Sequence, residues 1–271
     1  MRVRTTAADA VRWHAVEGGP VLAGDGLYLR VDADDSLGLC RAGAYEPYET
    51  ALLLHLVTPG TTVLDVGANV GYHTVQFARA AGPDGRVIAF EPDPGNLRLL
   101  RHNVRANAFR NVEIVPKAVS DETGRLRLFR SAENGGDHRV YDSGDDRQAI
   151  DIEAVALDDL LAGYARPISL VKLDIQGAEP RAIAGMQRLL DSHPEAWVAA
   201  ELWPAGLARA GSSAGALLDR LRGLGGGLLR IDERRGRLVP LDPVWLADTV
   251  TVERGNHTNV LVPRRDWASR G

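Results

Sequence analysis

The feature that most constrains the fold is an alternation of short apolar runs with longer segments of helical periodicity, beginning at residue 62. This alternation is typical of parallel strands joined by right-handed helical crossovers. Strands are predicted at Thr62–Val66, Arg86–Phe90, Ile168–Leu173 and Trp197–Leu202, and Val112–Val115 with Ala118–Val119 is predicted to make one further strand between them. Helices are predicted at Tyr72–Ala81, 94–107, 180–191 and 214–224.

Patterns between and after these elements predict the rest of the sheet. Residues 228–231 and 259–262 are the last two apolar runs, and we expect them to pair antiparallel at one edge. Residues 125–130 and 150–155 alternate apolar with charged side chains, as half-exposed hairpin strands do. The Gly-, Asp- and Ser-rich segment 131–149 between them is long for a loop, and we interpret it either as a disordered segment or as a candidate lid.

The first 44 residues form a separate N-terminal extension, and the main domain is predicted to span residues 45–271. Two apolar runs, 20–23 and 27–31, flank a Gly24-Asp25-Gly26 turn, which is a hairpin signal. The extension is interpreted as an extra edge hairpin. A substrate cover, or an arm that joins two copies in a homodimer, are the alternatives.

Composition favours a globular enzyme over a nucleic-acid binder. The chain has 271 residues, 45% of them apolar, and a net charge of −4, whereas proteins that bind phosphate backbones usually carry a basic excess. Arg98, Arg101 and Arg105 recur at helical spacing, but Phe109 is the only aromatic residue close by, so they are interpreted as a solvated helix face. Neither a signal-peptide core nor a membrane-length apolar stretch is found, so a cytoplasmic protein without a membrane partner is expected.

A glycine-rich turn follows the first strand of the alternation, from Asp65 to Gly71 (DVGANVG). Its G-x-x-x-G spacing differs from the G-x-G-x-x-G of dinucleotide sites, and Asp65 would repel a pyrophosphate. An acid there suits the ammonium group of S-adenosylmethionine, and Glu91, at the end of the next strand, can accept hydrogen bonds from ribose hydroxyls. The pattern therefore favours S-adenosylmethionine. A nucleotide-dependent oxidoreductase and a merely structural turn are the alternatives.

Three segments resemble the FkbM family of methyltransferases: DVGANVGYHT from Asp65 to Thr74, FEPDP from Phe90 to Pro94, and KLDIQGAE from Lys172 to Glu179. The resemblance implies a Rossmann-like α/β class I methyltransferase fold, with a mostly parallel seven-stranded sheet and an antiparallel edge hairpin. It also implies O-methylation of a hydroxyl on a small natural product, sugar or glycan, with S-adenosylhomocysteine as product. Many members have Glu where this chain has Gln176, which puts in doubt any role that needs a charge there.

The same resemblance implies which residues hold the cofactor. Asp65 and its neighbours in the turn would lie at the methionine end, Glu91 would hold the ribose, and Ala118 and Val119 would flank the adenine together with Asp121. The full set is Glu46, Asp65, Gly67, Asn69, Gly71, Tyr72, Glu91, Pro92, Ala118, Val119 and Asp174.

Transfer of a methyl group to an alcohol needs a proton acceptor, and four residues are candidates for the catalytic machinery. Asp174 ends the fourth strand on the same rim as Glu91, and Lys172 shares its strand face. Glu201 ends the fifth strand, and His73 begins the helix after the glycine turn. Asp174 and Glu201 could also bind Mg²⁺, but nothing else in the sequence requires a metal. A non-catalytic cofactor-binding module remains an alternative.

Overall fold

The computed structural model describes residues 5–15, 21–33, 35–132 and 134–263. The strands, in chain order, are β1 (His14–Ala15), β2 (Val21–Gly24), β3 (Leu27–Arg30), β4 (Thr62–Val66), β5 (Arg86–Phe90), β6 (Val112–Val115), β7 (Ala118–Val119), β8 (Gly124–Arg130), β9 (Gln148–Val155), β10 (Ile168–Leu173), β11 (Trp197–Leu202), β12 (Leu229–Asp232), β13 (Arg237–Pro240) and β14 (Thr258–Val262). The helices are α1 (Leu39–Ala42), α2 (Pro47–Leu56), α3 (Tyr72–Ala81), α4 (Pro94–Ala106), α5 (Leu157–Leu160), α6 (Glu179–Ala184), α7 (Gln187–Ser192), α8 (Pro204–Arg209), α9 (Ala214–Gly223) and α10 (Pro243–Thr249).

The central sheet has the strand order β13-β12-β14-β11-β10-β4-β5-β6. The strands from β11 to β6 run parallel, whereas β14 lies antiparallel between β11 and β12. This is the α/β class I methyltransferase architecture that the sequence predicted. The sheet has one strand more than the seven expected, because β13 pairs with the outer side of β12. The β12–β14 pair is therefore antiparallel as predicted, but β13 forms the edge.

Helices cover both faces of this sheet, which explains why its central strands are buried along almost their whole length and are mostly apolar. Leu64 of β4 packs with Ile183 of α6 on one face, and Val63 packs with Phe77 of α3 on the other. Successive residues of a strand point to opposite faces of the sheet. A strand that is buried on both faces therefore lacks the alternation of apolar and polar residues that half-exposed strands show. This pattern is the reason that β4, β5, β10 and β11 could be located from the sequence.

Two predicted elements are divided in the structure. Residues 112–119 form two strands rather than one, because Pro116 cannot continue a ladder; β7 leaves the central sheet and pairs with β9 in a separate β7-β9-β8 sheet. The predicted helix 180–191 is broken between α6 and α7. At the break Gly185 lies so close to Ser120 that an added Cβ would be 2.0 Å from its carbonyl oxygen.

The N-terminal hairpin has the predicted turn. β2 and β3 pair around Asp25 and Gly26, whose φ angles of 49° and 76° are those of a type I′ turn. Leu22 and Leu29 are buried against Tyr72 of α3. The hairpin thus packs onto the α3 side of the main domain.

Candidate active site

A cleft lies beyond the carboxyl ends of β4, β5 and β10, where the turns after these strands converge. Ligand sites of open parallel sheets lie at this edge. The cleft has a volume of about 840 Å³, counting the part open to solvent. Of the site residues predicted from the sequence, those that line it are Gly67, Asn69, Tyr72, His73, Glu91, Pro92, Ala118, Val119, Lys172 and Asp174.

The β4–α3 turn is tied to the neighbouring strand ends. The backbone N–H groups of Gly67 and Ala68 both donate to the carbonyl of Phe90, at 3.0 Å. Gly67 has φ of 85°, and an added Cβ would lie 1.9 Å from the carbonyl oxygen of Asp174. The absence of a side chain at this position therefore allows two strand ends to approach each other.

Gly71 has a different role from the one expected. It does not line the cleft, and its missing side chain makes room for Leu100 of α4, whose Cδ1 would lie 2.7 Å from an added Cβ. The second glycine of the motif therefore permits helix packing.

Glu91 is held on one wall of the cleft by two backbone groups. Its Oε2 accepts from the N–H of Asn69 at 2.9 Å, and its Oε1 accepts from the N–H of Asp93 at 2.8 Å. Burial raises the pKa of Glu91 to about 7, although these hydrogen bonds oppose the shift. Each carboxylate oxygen retains a free lone pair, so Glu91 is a fixed acceptor for a pair of hydroxyl groups.

Asp65 lies behind this wall and does not line the cleft. Its side chain is fully buried, and Oδ2 accepts from the Thr74 hydroxyl at 2.6 Å. Its Oδ1 has no hydrogen-bond partner among the described residues. Burial raises the pKa of Asp65, and the nearby ammonium group of Lys172 opposes this. Asp174, rather than Asp65, presents a carboxylate to the cleft.

An apolar wall stands on the other side of Glu91. Ala118 and Val119 of β7 form it together with Leu128 of β8 and Val140. Asp121, expected beside them, does not line the cleft and pairs with Arg181 at 2.9 Å. The β7-β9-β8 sheet thus supplies apolar residues to the cleft, and its strand β7 begins shortly after β6 of the central sheet ends.

Asp174 is fixed by two donors. The Lys172 ammonium lies 3.2 Å from Oδ2, and the Gln176 side-chain amide donates to Oδ1 at 3.0 Å. Burial disfavours the charged form of Lys172, but the carboxylates Asp174, Asp65 and Glu49 outweigh this and raise its pKa. Lys172 is therefore a cation in the site.

Gln176 joins two carboxylates, and this explains its departure from Glu. Its Nε2 donates both to Asp174 and, at 3.3 Å, to Oε2 of Glu201. A glutamate at this position would place a third acidic group between them in place of a donor. The role of Gln176 is thus to donate hydrogen bonds, and no charge is needed.

A second, smaller cavity adjoins Asp174 and contains Glu46 and Glu201, neither of which lines the larger cleft. Glu49 lies there as well, buried in α2, and the Asn259 amide donates to it and to Glu46. Burial raises the pKa of Glu49 and of Glu201, and the neighbouring acids raise both further. This cavity is thus an acid cluster at the rim of the cleft in which Glu49 and Glu201 are weaker acids than usual.

The sequence did not single out Glu49 and Asn259. In the sequence, Glu49 is distinguished only as an acidic residue in an otherwise apolar helix, and Asn259 only as a polar residue in an apolar strand. His257, which lies just before β14, approaches the same cluster, 3.4 Å from Glu46.

His73 lines the cleft as a neutral imidazole. Burial, reinforced by the Lys172 charge, lowers its pKa well below the usual value. Its Nε2 lies 3.3 Å from the Thr50 hydroxyl, which itself donates to the carbonyl of Tyr45. With the Thr50 proton donated to that carbonyl, the tautomer that fits this contact carries its hydrogen on His73 Nε2.

The candidate lid contributes Gly135, Gly136, His138 and Val140 to the cleft. The Tyr141 hydroxyl donates to the carbonyl of Gln176 at 2.7 Å, so the described part of the segment bridges to the turn after β10. Whether the segment opens remains a prediction.

Two features are absent from the described residues. No group of three or more His, Cys, Asp or Glu side chains in the described ranges is arranged to hold a metal ion. Within the same ranges, none of the helices has the length and apolar character needed to cross a bilayer.

Comparison with known proteins was made on sequence and on structure. A family model described as the methyltransferase FkbM domain matches residues 65–225. The chain is similar to an arsenite methyltransferase of Halobacterium salinarum (strain ATCC 700922 / JCM 11081 / NRC-1), with 40% identity over 57 residues that cover 21% of this chain and 15% of that protein. It is also similar to a protein-L-isoaspartate O-methyltransferase of Methanococcoides burtonii (strain DSM 6242 / NBRC 107633 / OCM 468 / ACE-M), with 32% identity over 71 residues, which are 26% of this chain and 35% of that protein.

These matches are partial, since the chain spans at most 35% of the length of these two curated relatives. Among solved structures, it is similar to cofactor-bound Rv0187 from MTB, with 20% sequence identity and a TM-score of 0.46 over 86% of each chain.

Proposed function

This chain belongs to the FkbM methyltransferase family, and from this premise we propose that it transfers a methyl group from S-adenosylmethionine to a hydroxyl of a small natural product, a sugar or a glycan. The observation that carries the proposal is that Glu91 and Asp174 face one cleft, each held in position by neighbouring donors. Glu91 is placed to bind a ribose, and Asp174 is placed to act as the proton acceptor.

The residues present fit this cofactor. Glu91, bonded on both oxygens to backbone N–H groups, is positioned to accept from two vicinal ribose hydroxyls. The apolar pair Ala118 and Val119 suits the face of an adenine. S-adenosylmethionine supplies a methyl group on a sulfonium, which is transferred by in-line displacement.

Asp174 is the residue that we assign as the proton acceptor. An attacking alcohol loses its proton as the new C–O bond forms, and a fixed carboxylate at the cleft can accept it. Lys172 and Gln176 orient this carboxylate through hydrogen bonds to different oxygens. The proton passes from the acceptor oxygen to Asp174, and no metal ion is needed for this step.

The other candidate bases are less suited. Lys172 retains its charge because surrounding carboxylates raise its pKa. Glu201 holds a proton to higher pH than an ordinary glutamate. His73 is neutral but a weak base, because burial lowers its pKa. We therefore expect these three residues to position neighbouring groups, or to set the charge of the site, and not to accept the proton.

The test is methyl transfer from labelled S-adenosylmethionine to a panel of sugars, polyols and amines, with the wild type, Asp174→Asn and His73→Asn. Loss of a general base typically lowers kcat by about 10²- to 10⁴-fold. We expect that loss on hydroxyl acceptors for Asp174→Asn, and a smaller loss for His73→Asn. Label that appears only on amines, or an Asp174→Asn variant with wild-type kcat, would contradict the proposal.

A further inference from the structure

A broad groove lies beside the cofactor cleft, with a volume of about 1700 Å³ that includes open solvent. Three parts of the chain form it: the segment Arg30 to Ala33 at the end of the N-terminal hairpin, the exposed face of α4, and the segment that follows β8. The predicted solvated face of α4 is therefore the floor of a concavity.

The groove is strongly basic, although the chain as a whole has a net charge of −4. Among the described residues, its lining contains five arginines and two aspartates. The arginines are Arg30, Arg98, Arg101, Arg105 and Arg130.

The two aspartates already have partners. Asp93 accepts from the N–H groups of Gly95 and Asn96 as the N-cap of α4, and its Oδ2 lies 2.7 Å from Nε of Arg130. Asp32 accepts from the backbone N–H and the hydroxyl of Ser36. Among the described lining residues, the charge of Asp93 is therefore matched by Arg130, and Asp32 is outnumbered by the four other arginines, so the lining keeps a net positive charge.

The remaining four arginines have no such partners. Within the described part of the chain, Arg30, Arg98, Arg101 and Arg105 form no ion pair. On α4 the three arginines follow one another at spacings of three and four residues, at which like charges oppose helix stability. Their arrangement therefore does not serve to stabilise the helix.

The hairpin is docked so that Arg30 stands against α4. The Asn103 side chain accepts from the N–H of Arg30 at 2.7 Å and donates to its carbonyl at 2.9 Å. Asn107, one helical turn later, makes the same pair of contacts with Tyr28. A buried amide that bridges two backbones fixes the position of Arg30 relative to the arginines of α4.

The groove is continuous with the cofactor cleft. Asn96, Gly135 and His138 line both. A molecule held in the groove would therefore lie against the Glu91 side of the site, within reach of the cleft.

We propose that this groove binds the diphosphate group of a small-molecule ligand, through the guanidinium groups of α4 and Arg30. Guanidinium groups match phosphate oxygens with paired hydrogen bonds, and several unpaired ones in a concavity are suited to a multiply charged anion. This inference rests on the proposed function: the ligand is the methyl acceptor, and its diphosphate group anchors it in the groove. The proposed class is thus a diphosphate ester that carries a hydroxyl group.

A polynucleotide fits less well than a small molecule. Single strands are held by basic grooves that also offer aromatic rings for base stacking, and the described lining of this groove contains no aromatic residue other than histidine. From Arg98 to Arg105 the helix rises about 10 Å, which suits one short phosphorylated group.

The test is titration of inorganic pyrophosphate and of a short single-stranded RNA into the full-length protein, an Arg101→Ala/Arg105→Ala variant and Arg220→Ala. Both groove residues are exposed and alanine favours helix, so the double variant should fold. Arg220, an exposed arginine on α9 outside the groove, is the matched control. S-adenosylhomocysteine is titrated into the same three proteins.

We expect saturable pyrophosphate binding that weakens at least about tenfold in the double variant and is unchanged in the control. Absence of pyrophosphate binding to the wild type, equal binding to wild type and double variant, or RNA that binds more tightly than pyrophosphate would overturn the proposal. The S-adenosylhomocysteine titration reports the cofactor site separately, so failure of the groove and failure of the proposed function give different results.

Discussion

At the scale of single residues, burial sets the charge of the carboxylates around the cleft. It raises the pKa of both Glu91 and Glu179 to about 7, within the range in which the protein would work. Glu179 accepts from the N–H groups of Ile175 and Gly177 and so shapes the turn that carries Gln176. Hydrogen bonds to backbone groups thus hold these acids in place, while the surrounding apolar residues make them weak acids.

The affinity for S-adenosylhomocysteine should rise with pH and level off above about 7. The ionised form of Glu91 accepts hydroxyl hydrogen bonds better than the protonated form, so binding favours ionisation and is weakened as pH falls through the raised pKa. Below that pKa the loss should approach about tenfold per pH unit for one coupled proton.

Calorimetry from pH 5.5 to 8.5 (about three units) measures this dependence, with Glu91→Gln as the control that lacks the titrating group. The Glu91→Gln variant should bind S-adenosylhomocysteine weakly, and its affinity should change less with pH. The same slope in wild type and variant would assign the pH dependence to another group.

At the scale of elements, glycines determine how closely the strand ends of the site approach each other. Gly67 brings the β4–α3 turn against the β10 end, and Gly71 lets α3 pack on α4. Both have positive φ angles, so a side chain would also be strained there. The geometry of the cleft therefore depends on contacts between turns.

Gly67→Ala should be much more destabilising than Gly60→Ala. Both positions have φ above 80°, but an added Cβ at Gly60 meets nothing within 4 Å, whereas at Gly67 it overlaps the Asp174 backbone. The backbone strain of about 1–2 kcal/mol is common to both. The overlap should add about 1–3 kcal/mol to the cost at Gly67.

Urea unfolding of the two variants gives the comparison directly. Equal losses of unfolding free energy would mean that the turns can move apart at little cost, and that the cleft is less rigid than its contacts indicate.

The strands and long helices were predictable because their burial is complete. A strand such as β4, buried along its whole length, is recognisable as a short and mostly apolar run. Short elements that begin at a proline, such as α8 and α10, carry too little periodicity to be recognised. The division of 112–119 depended on a pairing with β9, in which Ala118 lies beside Ala154, 36 residues later in the chain.

Most of the candidate site was predictable for a different reason. Residues that follow parallel strands meet at one edge, so Glu91 and Asp174 could be expected together. The position of Asp65 behind the wall could not, because it depends on its hydrogen bond to Thr74 of the next helix. The acid cluster of Glu46, Glu49 and Glu201 joins two segments that are distant in sequence, and no local pattern indicates it.

At the scale of the whole molecule, the N-terminal hairpin belongs to the same packed structure as the main domain. Leu22, Leu27 and Leu29 are buried in one cluster with Tyr72 and Val75 of α3, the helix that follows the cofactor turn. The hairpin also supplies a wall of the basic groove. We expect it to unfold together with the remainder of the chain.

Leu29→Ala should therefore lower the free energy of global unfolding by about 2–5 kcal/mol. Leu29 is fully buried, whereas the adjacent Tyr28 is 49% exposed. Tyr28→Ala should change stability by no more than about 0.5 kcal/mol. Denaturant unfolding, followed by fluorescence and circular dichroism, should give one coincident transition in each protein. A separate early transition confined to Leu29→Ala would make the hairpin an independent appendage.

The central claim is that this cleft binds S-adenosylmethionine, and titration calorimetry with S-adenosylhomocysteine tests it most directly. The wild type should bind saturably and should not bind NADH. Glu91→Ala should bind at least about tenfold more weakly, since it removes an acceptor shared by two hydroxyls. No binding by folded wild type, or equal binding by wild type and Glu91→Ala, would contradict the account.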